Sequence, residues 1–135
     1  MIKFGCNASP WYQPSSRCSG QQGFHHGVDI DMPVGTEIRA GVAGVVLVNP
    51  TTTGSAYGSK PVILRAAGID HVLGHLDSVA VSDGERVRAG QLLGTSGMSG
   101  TEDLDGPHLH FETRPAGATV ESATDPWPAL RASRS

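Results

Sequence analysis

The chain has 135 residues, with 18 glycines, nine prolines and a formal charge of −3 at pH 7. This length suits one domain with a single hydrophobic core, and no apolar run is long enough to span a bilayer. The small negative charge and the lack of a basic cluster argue against nucleic acid as the main partner. The abundance of turn-forming residues predicts a mostly β protein.

The N-terminal segment, residues 1–24, is predicted to be an irregular lead-in. It contains both cysteines, Cys6 and Cys18, at a spacing that is not typical of a metal knuckle. A disulfide between them would suit an oxidising compartment, and two free thiols are the alternative. No apolar signal-peptide core follows Met1, so we expect a trimmed chain, an interior domain or a protein exported by another route.

Short β-type runs alternate with turns over residues 25–135. These runs include GVDIDM, TEIRAGVAGVVLVN, KPVILRA, IDHVLGHLDSVAV and PHLHFETR. A turn at Ala67-Gly68 is expected to join KPVILRA to the run that follows. Alternation and β-branched residues favour strands over helices nearly everywhere. The sequence therefore predicts one all-β domain over residues 25–135, with a short C-terminal tail.

All six histidines fall in three places: HHGVD at residues 25–29, HVLGH at 71–75 and HLH at 108–110. Side chains two or four residues apart on a strand share a face, so His25 would lie beside Asp29, and His108 beside His110. Gly27 would leave open space between the first pair. Converging imidazoles and a carboxylate can hold a divalent ion, and three protein ligands plus water are usual for catalytic zinc.

Other interpretations of these histidines exist. The spacing of His25 and Asp29 is also one helical turn, as in zinc-binding helices, but the intervening Gly-Val and the following Ile-Asp-Met-Pro argue against a helix. Any pair alone is explained more simply by structural or solvated histidines. Spacing also does not decide which of His108 and His110 would bind a metal.

The ordered set HHGVDID, PVGTEIRAGVAGVV, GHL, GERVRAGQLLGTSG and GPHLHFE resembles the M23 metallopeptidases of the lysostaphin and LytM type. The resemblance implies a compact antiparallel β-sheet domain with a groove across the sheet and one bound zinc ion. It also implies a zinc endopeptidase that hydrolyses peptide bonds in the stem peptides or cross-bridges of bacterial peptidoglycan.

The family's motifs can be carried over position by position. The resemblance implies that the zinc ligands are His25, Asp29 and His110. The two catalytic histidines that do not bind the metal would be His75 and His108. The remaining histidines, His26 and His71, match no required position.

Two features depart from the family pattern. Leu73 stands two residues before His75, where family members often carry an aromatic residue. The segment after Gly97 is longer than usual and adds the acidic residues Glu102, Asp103 and Asp105. This acidic loop could select a cationic or amine-bearing cross-link, but a solvated loop is the favoured interpretation.

Two further functions fit parts of the sequence. GVAGVV and GERVRAGQLLG resemble biotinyl and lipoyl carrier scaffolds, but neither Lys3 nor Lys60 lies in a suitable hairpin. A non-catalytic M23-like domain that binds the wall or activates a partner enzyme is the better alternative, although such domains typically lose ligands that this chain keeps. We expect a monomer that contacts peptidoglycan outside the cell, either secreted or carried on a phage particle.

Overall fold

The structure is a computed structural model that describes residues 5–7, 23–25, 27–50, 53, 57–98, 107–119 and 122–126, with only the backbone described for 5–7 and 23–25. The strands of these residues are β1 (Gly5–Asn7), β2 (Gly23–His25), β3 (Val28–Asp31), β4 (Glu37–Arg39), β5 (Gly44–Val48), β6 (Val62–Ala66), β7 (Ile69–Gly74), β8 (Leu76–Val79), β9 (Arg86–Val87), β10 (Leu92–Ser96) and β11 (His108–Pro115). No α-helix occurs among them. The predicted all-β fold is therefore confirmed.

The described strands form antiparallel sheets of three sizes. The largest has six strands in the order β3-β11-β7-β6-β5-β9, a second has the order β4-β10-β8, and β1 pairs with β2. The last strand, β11, lies inside the six-stranded sheet between β3 and β7. The C-terminal part of the domain thus joins strands from its beginning and its middle.

The turn predicted at Ala67-Gly68 joins β6 to β7. Ala66 pairs with Ile69 across it, and the two turn residues have φ values of 52° and 78°. Positive φ at both central residues is the geometry of two-residue hairpin turns that match the twist of the strands. The prediction is confirmed.

The run IDHVLGHLDSVAV contains two strands in the structure. β7 ends at Gly74 in the six-stranded sheet, and β8 begins at Leu76 in the three-stranded sheet. His75 stands between them with a φ of 67°, a left-handed conformation that few residues other than glycine adopt. The chain therefore changes sheets at His75.

The hydrophobic core lies on one face of the six-stranded sheet. Alternate side chains of that sheet pack with buried residues of the three-stranded sheet; the cluster includes Val46, Leu64, Leu73, Leu109, Phe111, Ile38 and Leu93. Full burial of one such side chain stabilises the fold by roughly 1.5–3 kcal/mol. Leu73, the position where relatives often carry an aromatic, thus belongs to the core.

The opposite face of the same sheet is polar. Along β11 it carries His108, His110, Glu112 and Arg114, all of them buried. On β6 and β7 it carries Arg65 and Asp70, whose side chains form a bidentate ion pair with Nε–Oδ1 and Nη2–Oδ2 distances of 2.7 and 3.0 Å. Buried charges are tolerated when they are paired and hydrogen-bonded, as these are.

His71 lies on the core face, where its ring meets Phe111 edge to face with centroids 5.9 Å apart. Burial lowers the pKa of His71 from its ordinary value of 6.5, and the charge of Asp70 offsets part of this effect. The unfolded chain therefore binds a proton at His71 more readily than the folded chain does. The contribution of His71 to folding stability is fully present at pH values above its pKa in the unfolded chain. It is lost as the pH falls through its pKa in the folded chain.

We expect His71→Gln to remove this component of the pH dependence. The free energy of unfolding would be measured by urea denaturation of the metal-free protein between about pH 8 and about pH 5. The wild-type protein should lose more stability than the variant over this range, because only the wild-type protein has an imidazole to protonate at residue 71. Parallel curves for the two proteins would contradict the prediction.

Candidate active site

Pairing of β3 with β11 brings two predicted zinc ligands together. His110 lies opposite Asp29 and His108 lies opposite Asp31 in the register of the two strands. The Nδ1 atom of His110 is 2.7 Å from Oδ1 of Asp29, and the Nε2 atom of His108 is 3.7 Å from the same oxygen. The exposed Asp31 stands at the edge of this group.

His75, where the chain passes from the six-stranded to the three-stranded sheet, lies beside His108 and His110. Its ring centroid is 4.7 Å from that of His108 and 6.0 Å from that of His110. The main-chain N–H of His75 donates a hydrogen bond of 2.8 Å to the main-chain carbonyl of Tyr57. Unusual backbone conformations such as that of His75 persist only where the surroundings hold them, and they cluster at functional sites. Four of the five predicted site residues are thus adjacent.

The fifth predicted site residue, His25, is the last residue of β2. β2 pairs with β1, with Gly5 opposite His25, and it is separate from β3. The expectation that His25 and Asp29 alternate along one strand is therefore wrong, because the strand is interrupted between them. The side chain of His25 lies outside the described residues, so its role as a ligand stays a prediction.

Other predictions also lie outside the described residues. These are the pairing of the two cysteine side chains, the absence of a required role for His26, and the acidic loop that carries Glu102, Asp103 and Asp105.

Gly27 lies where β3 approaches β11, and the open space expected beside it is filled. A Cβ atom at residue 27 would collide with the carbonyl oxygen of Phe111 and would lie 2.8 Å from Cγ of Glu112 and 3.1 Å from Cε1 of His110. Glycine is therefore needed for close approach of the backbone, which in turn brings Asp29 to His110.

We expect Gly27→Ala to destabilise the protein by about 1–3 kcal/mol, the usual cost of overpacking, and to weaken metal binding with it. The collision is with a main-chain oxygen, which cannot move without disturbing β11. Thermal unfolding and zinc titration of the variant would measure both effects. An unchanged unfolding temperature would contradict the close packing at this position.

Sequence reasoning missed Glu112 and Arg114, which extend the polar row of β11. Oε2 of Glu112 lies 2.7 Å from Nε2 of His110, and Nε of Arg114 donates a 2.9 Å hydrogen bond to Oε1 of Glu112. Neither Glu112 nor Arg114 has any exposed surface. The signal was present, because the alternation that pairs His108 with His110 continues through residues 112 and 114.

Both ring nitrogens of His110 face carboxylate oxygens. Burial lowers the pKa of His110, but the hydrogen bonds and charges of Asp29 and Glu112 outweigh it and raise the pKa to about 9. Burial likewise raises the pKa of Glu112, and His110, Tyr57 and Arg114 together lower it overall. Without metal the ring is thus an imidazolium between two carboxylates, and metal binding at Nδ1 requires loss of that proton.

The donor atoms at this point suit zinc. Carboxylate oxygen and imidazole nitrogen are both zinc ligands, and a ligand histidine usually donates its other N–H to a carboxylate, as Nε2 of His110 can to Glu112. Within the described part of the chain, no three acidic, histidine or cysteine side chains together form a complete metal site. Asp29 and His110 are two of the three predicted ligands, and the structure brings their side chains together.

An antiparallel β-domain with adjacent histidines and an aspartate on its polar face is the arrangement expected of a small metallohydrolase. The sequence profile of peptidase family M23 matches residues 23–122. The chain therefore belongs to peptidase family M23, and the resemblance found in its sequence is confirmed.

Two curated relatives show the extent of the similarity. The DD-carboxypeptidase/endopeptidase Mpg of Neisseria meningitidis is 35% identical over 108 residues, which cover 78% of this chain and 24% of Mpg. The glycyl-glycine endopeptidase ALE-1 of Staphylococcus capitis is 34% identical over 110 residues, covering 81% of this chain and 30% of ALE-1. The chain thus spans 24–30% of the length of these relatives.

Solved structures agree with this assignment. LytU superimposes with a TM-score of 0.76 at 28% identity, covering 97% of this chain and 83% of LytU. A zinc containing peptidase from Vibrio cholerae superimposes with a TM-score of 0.64 at 25% identity, covering 93% of this chain and 35% of that one. Family M23 is zinc-dependent, and this neighbour contains the metal.

Proposed function

We propose that this domain is a zinc-dependent endopeptidase that hydrolyses peptide bonds in the stem peptides or cross-bridges of bacterial peptidoglycan. The observation that carries the proposal is the cluster of Asp29, His75, His108 and His110 in a member of peptidase family M23. The named relatives support the substrate class, since one is a DD-carboxypeptidase/endopeptidase and another a glycyl-glycine endopeptidase.

The proposed ligands of a single zinc ion are His25, Asp29 and His110. A bound zinc would lower the pKa of a water molecule towards neutrality and polarise the scissile carbonyl. The carboxylate of Asp29 is largely buried beside His110. The side chains of both residues are 11% exposed. Glu112 can accept the Nε2 proton of His110, so that loss of the proton between Nδ1 and the Asp29 carboxylate would leave Nδ1 and Asp29 to bind the metal side by side.

His75 and His108 are the proposed acid–base residues. Both are buried, and their rings stand edge to face beside the ligand pair. From this position one imidazole can take a proton from the attacking water while the other donates to the developing oxyanion or the leaving amine. Their removal should therefore affect turnover more than metal binding.

We propose that the enzyme acts outside the cytoplasm, where its proposed substrate lies, either as a secreted protein or as part of a phage particle, and that it acts as a monomer. In the described residues no helix has the length and apolar character needed to cross a membrane.

Digestion of purified cell walls tests the proposal. Walls with glycine-rich bridges and walls with direct D-alanyl–diamino acid cross-links would be incubated with the zinc-loaded domain, and released peptides would be identified by mass spectrometry. New amino termini at one defined bond, lost after chelation and restored by zinc, are expected. Binding to walls without any released peptide would instead support the non-catalytic wall-binding alternative.

A further inference from the structure

Tyr57 contacts two parts of the proposed site, the main chain of His75 and the side chain of Glu112, although it lies in neither β7 nor β11. Its hydroxyl donates a short hydrogen bond to Oε2 of Glu112 and accepts one of 3.0 Å from Nη2 of Arg114. Its main-chain carbonyl accepts the 2.8 Å hydrogen bond from the N–H of His75. One residue therefore reaches the histidine at the sheet crossing and the carboxylate behind His110.

The ring of Tyr57 lies against the polar face of the sheet beside His110. The two rings meet edge to face, with centroids 5.5 Å apart and planes inclined by 63°. A Cβ atom at residue 74 would lie 3.2 Å from Cδ1 of Tyr57 and 3.3 Å from Cβ of His110. The absence of a side chain at Gly74 thus gives the tyrosine ring its place next to the histidine.

The hydroxyl of Tyr57 restricts how Glu112 can move. Nε of Arg114 holds Oε1 of Glu112 at 2.9 Å, and the Tyr57 hydroxyl holds Oε2. With both oxygens fixed, Oε2 remains 2.7 Å from Nε2 of His110. When Nδ1 gives up its proton to a metal ion, this arrangement keeps the remaining proton on Nε2, where Glu112 accepts it, and so fixes the tautomer whose Nδ1 can bind the metal beside Asp29.

We propose that Tyr57 is a positioning residue that holds the metal ligand His110 and the acid–base residue His75 in fixed relation to each other. This inference rests on the proposed function, because it assigns Tyr57 a task only if His110 binds zinc and His75 acts in turnover. The hydroxyl acts on His110 through Glu112. The ring of Tyr57 fixes the position of its own main chain, and the main-chain carbonyl of Tyr57 holds His75 by accepting the hydrogen bond from its main-chain N–H.

Two substitutions separate these contributions. Tyr57→Phe removes only the hydroxyl and should weaken zinc affinity by about 10–100-fold, the usual effect of removing support behind a ligand, with little change in kcat at saturating zinc. Tyr57→Ala also removes the ring that packs beside Gly74 and His110, so kcat at saturating zinc should fall as well. Zinc affinity would be measured by competition with a chromophoric chelator.

Thr113→Val is the matched control. It also removes a hydroxyl from a buried position next to Glu112, but on the core face of β11, where Thr113 bonds Thr124 at 2.8 Å. Its zinc affinity and kcat should equal those of the wild-type protein. The unfolding temperature of each metal-free variant would be recorded beside the affinity, so that loss of stability is measured separately from loss of metal binding.

Long-range ¹H–¹⁵N correlation spectra of the zinc-loaded protein provide the readout that a purely structural role would not change. The wild-type His110 ring should show one tautomer, protonated at Nε2, and Tyr57→Phe should show faster exchange of that proton with solvent. Wild-type affinity and an unchanged His110 spectrum in Tyr57→Phe would overturn this inference alone. Failure of the wild-type protein to bind zinc would overturn the proposed function instead.

Discussion

Replacing His110 with alanine is expected to abolish zinc binding and wall hydrolysis together. The side chain contributes Nδ1, which lies 2.7 Å from the Asp29 carboxylate oxygen, whereas Nε2 of His108 is 3.7 Å from the same oxygen. Loss of the imidazole also removes one hydrogen bond of the buried Glu112, which keeps those from Tyr57 and Arg114, and this costs the fold about 1–3 kcal/mol. Asp29→Ala should have the same effect on the metal.

Zinc content after dialysis, measured by atomic emission spectroscopy, and peptide release from walls are the two measurements. His71→Ala is the control, because it removes an imidazole of the same sheet from the opposite face. The control should keep its zinc and its activity. A zinc-free His108→Ala protein together with a zinc-loaded His110→Ala protein would reverse the assignment of ligand and catalytic residue.

Replacing His75 or His108 with alanine should keep zinc and lose turnover. General acid–base catalysis contributes about 10²–10⁴-fold to rate, so kcat should fall by that order while the zinc affinity stays near that of the wild-type protein. The division of roles comes from the family resemblance, and the distances support it for His108, whose ring nitrogen is 3.7 Å from the Asp29 oxygen, whereas that of His110 is 2.7 Å from it.

The measurement requires a soluble peptide substrate, so that kcat and KM are separated. The ratio of activities in the two single variants and in the double variant would indicate whether the histidines act in one step. Full activity in both single variants would contradict an acid–base role for this pair.

The sequence predicted the part of the site on β11, where side chains alternate between the two faces of the sheet. On β11, period two places His108 and His110 on one face, and the structure agrees because the strand is regular from His108 to Pro115. The same rule failed for His25 and Asp29, since the chain leaves β2 and starts β3 between them. Alternation is informative only inside an uninterrupted strand.

Other parts of the site had no local signal. His75 reaches its neighbours because the backbone turns to positive φ between two sheets, and a histidine there gives no hint of that conformation. Tyr57 meets Glu112 across a separation of 55 residues, from a segment rich in glycine, serine and threonine. Contacts of this kind depend on the complete packing of the chain, which propensity and periodicity do not describe.

The central position of β11 also bears on how the protein is made. His110 and Asp29 are 81 residues apart in the chain, and β11 follows all the other described strands in the sequence. Long-range strand pairing of this type is slow because the entropy of closing a large loop is lost before any contact forms. During synthesis, a nascent chain that lacks β11 has neither His108 nor His110, so the proposed site can be complete only after β11 has been made.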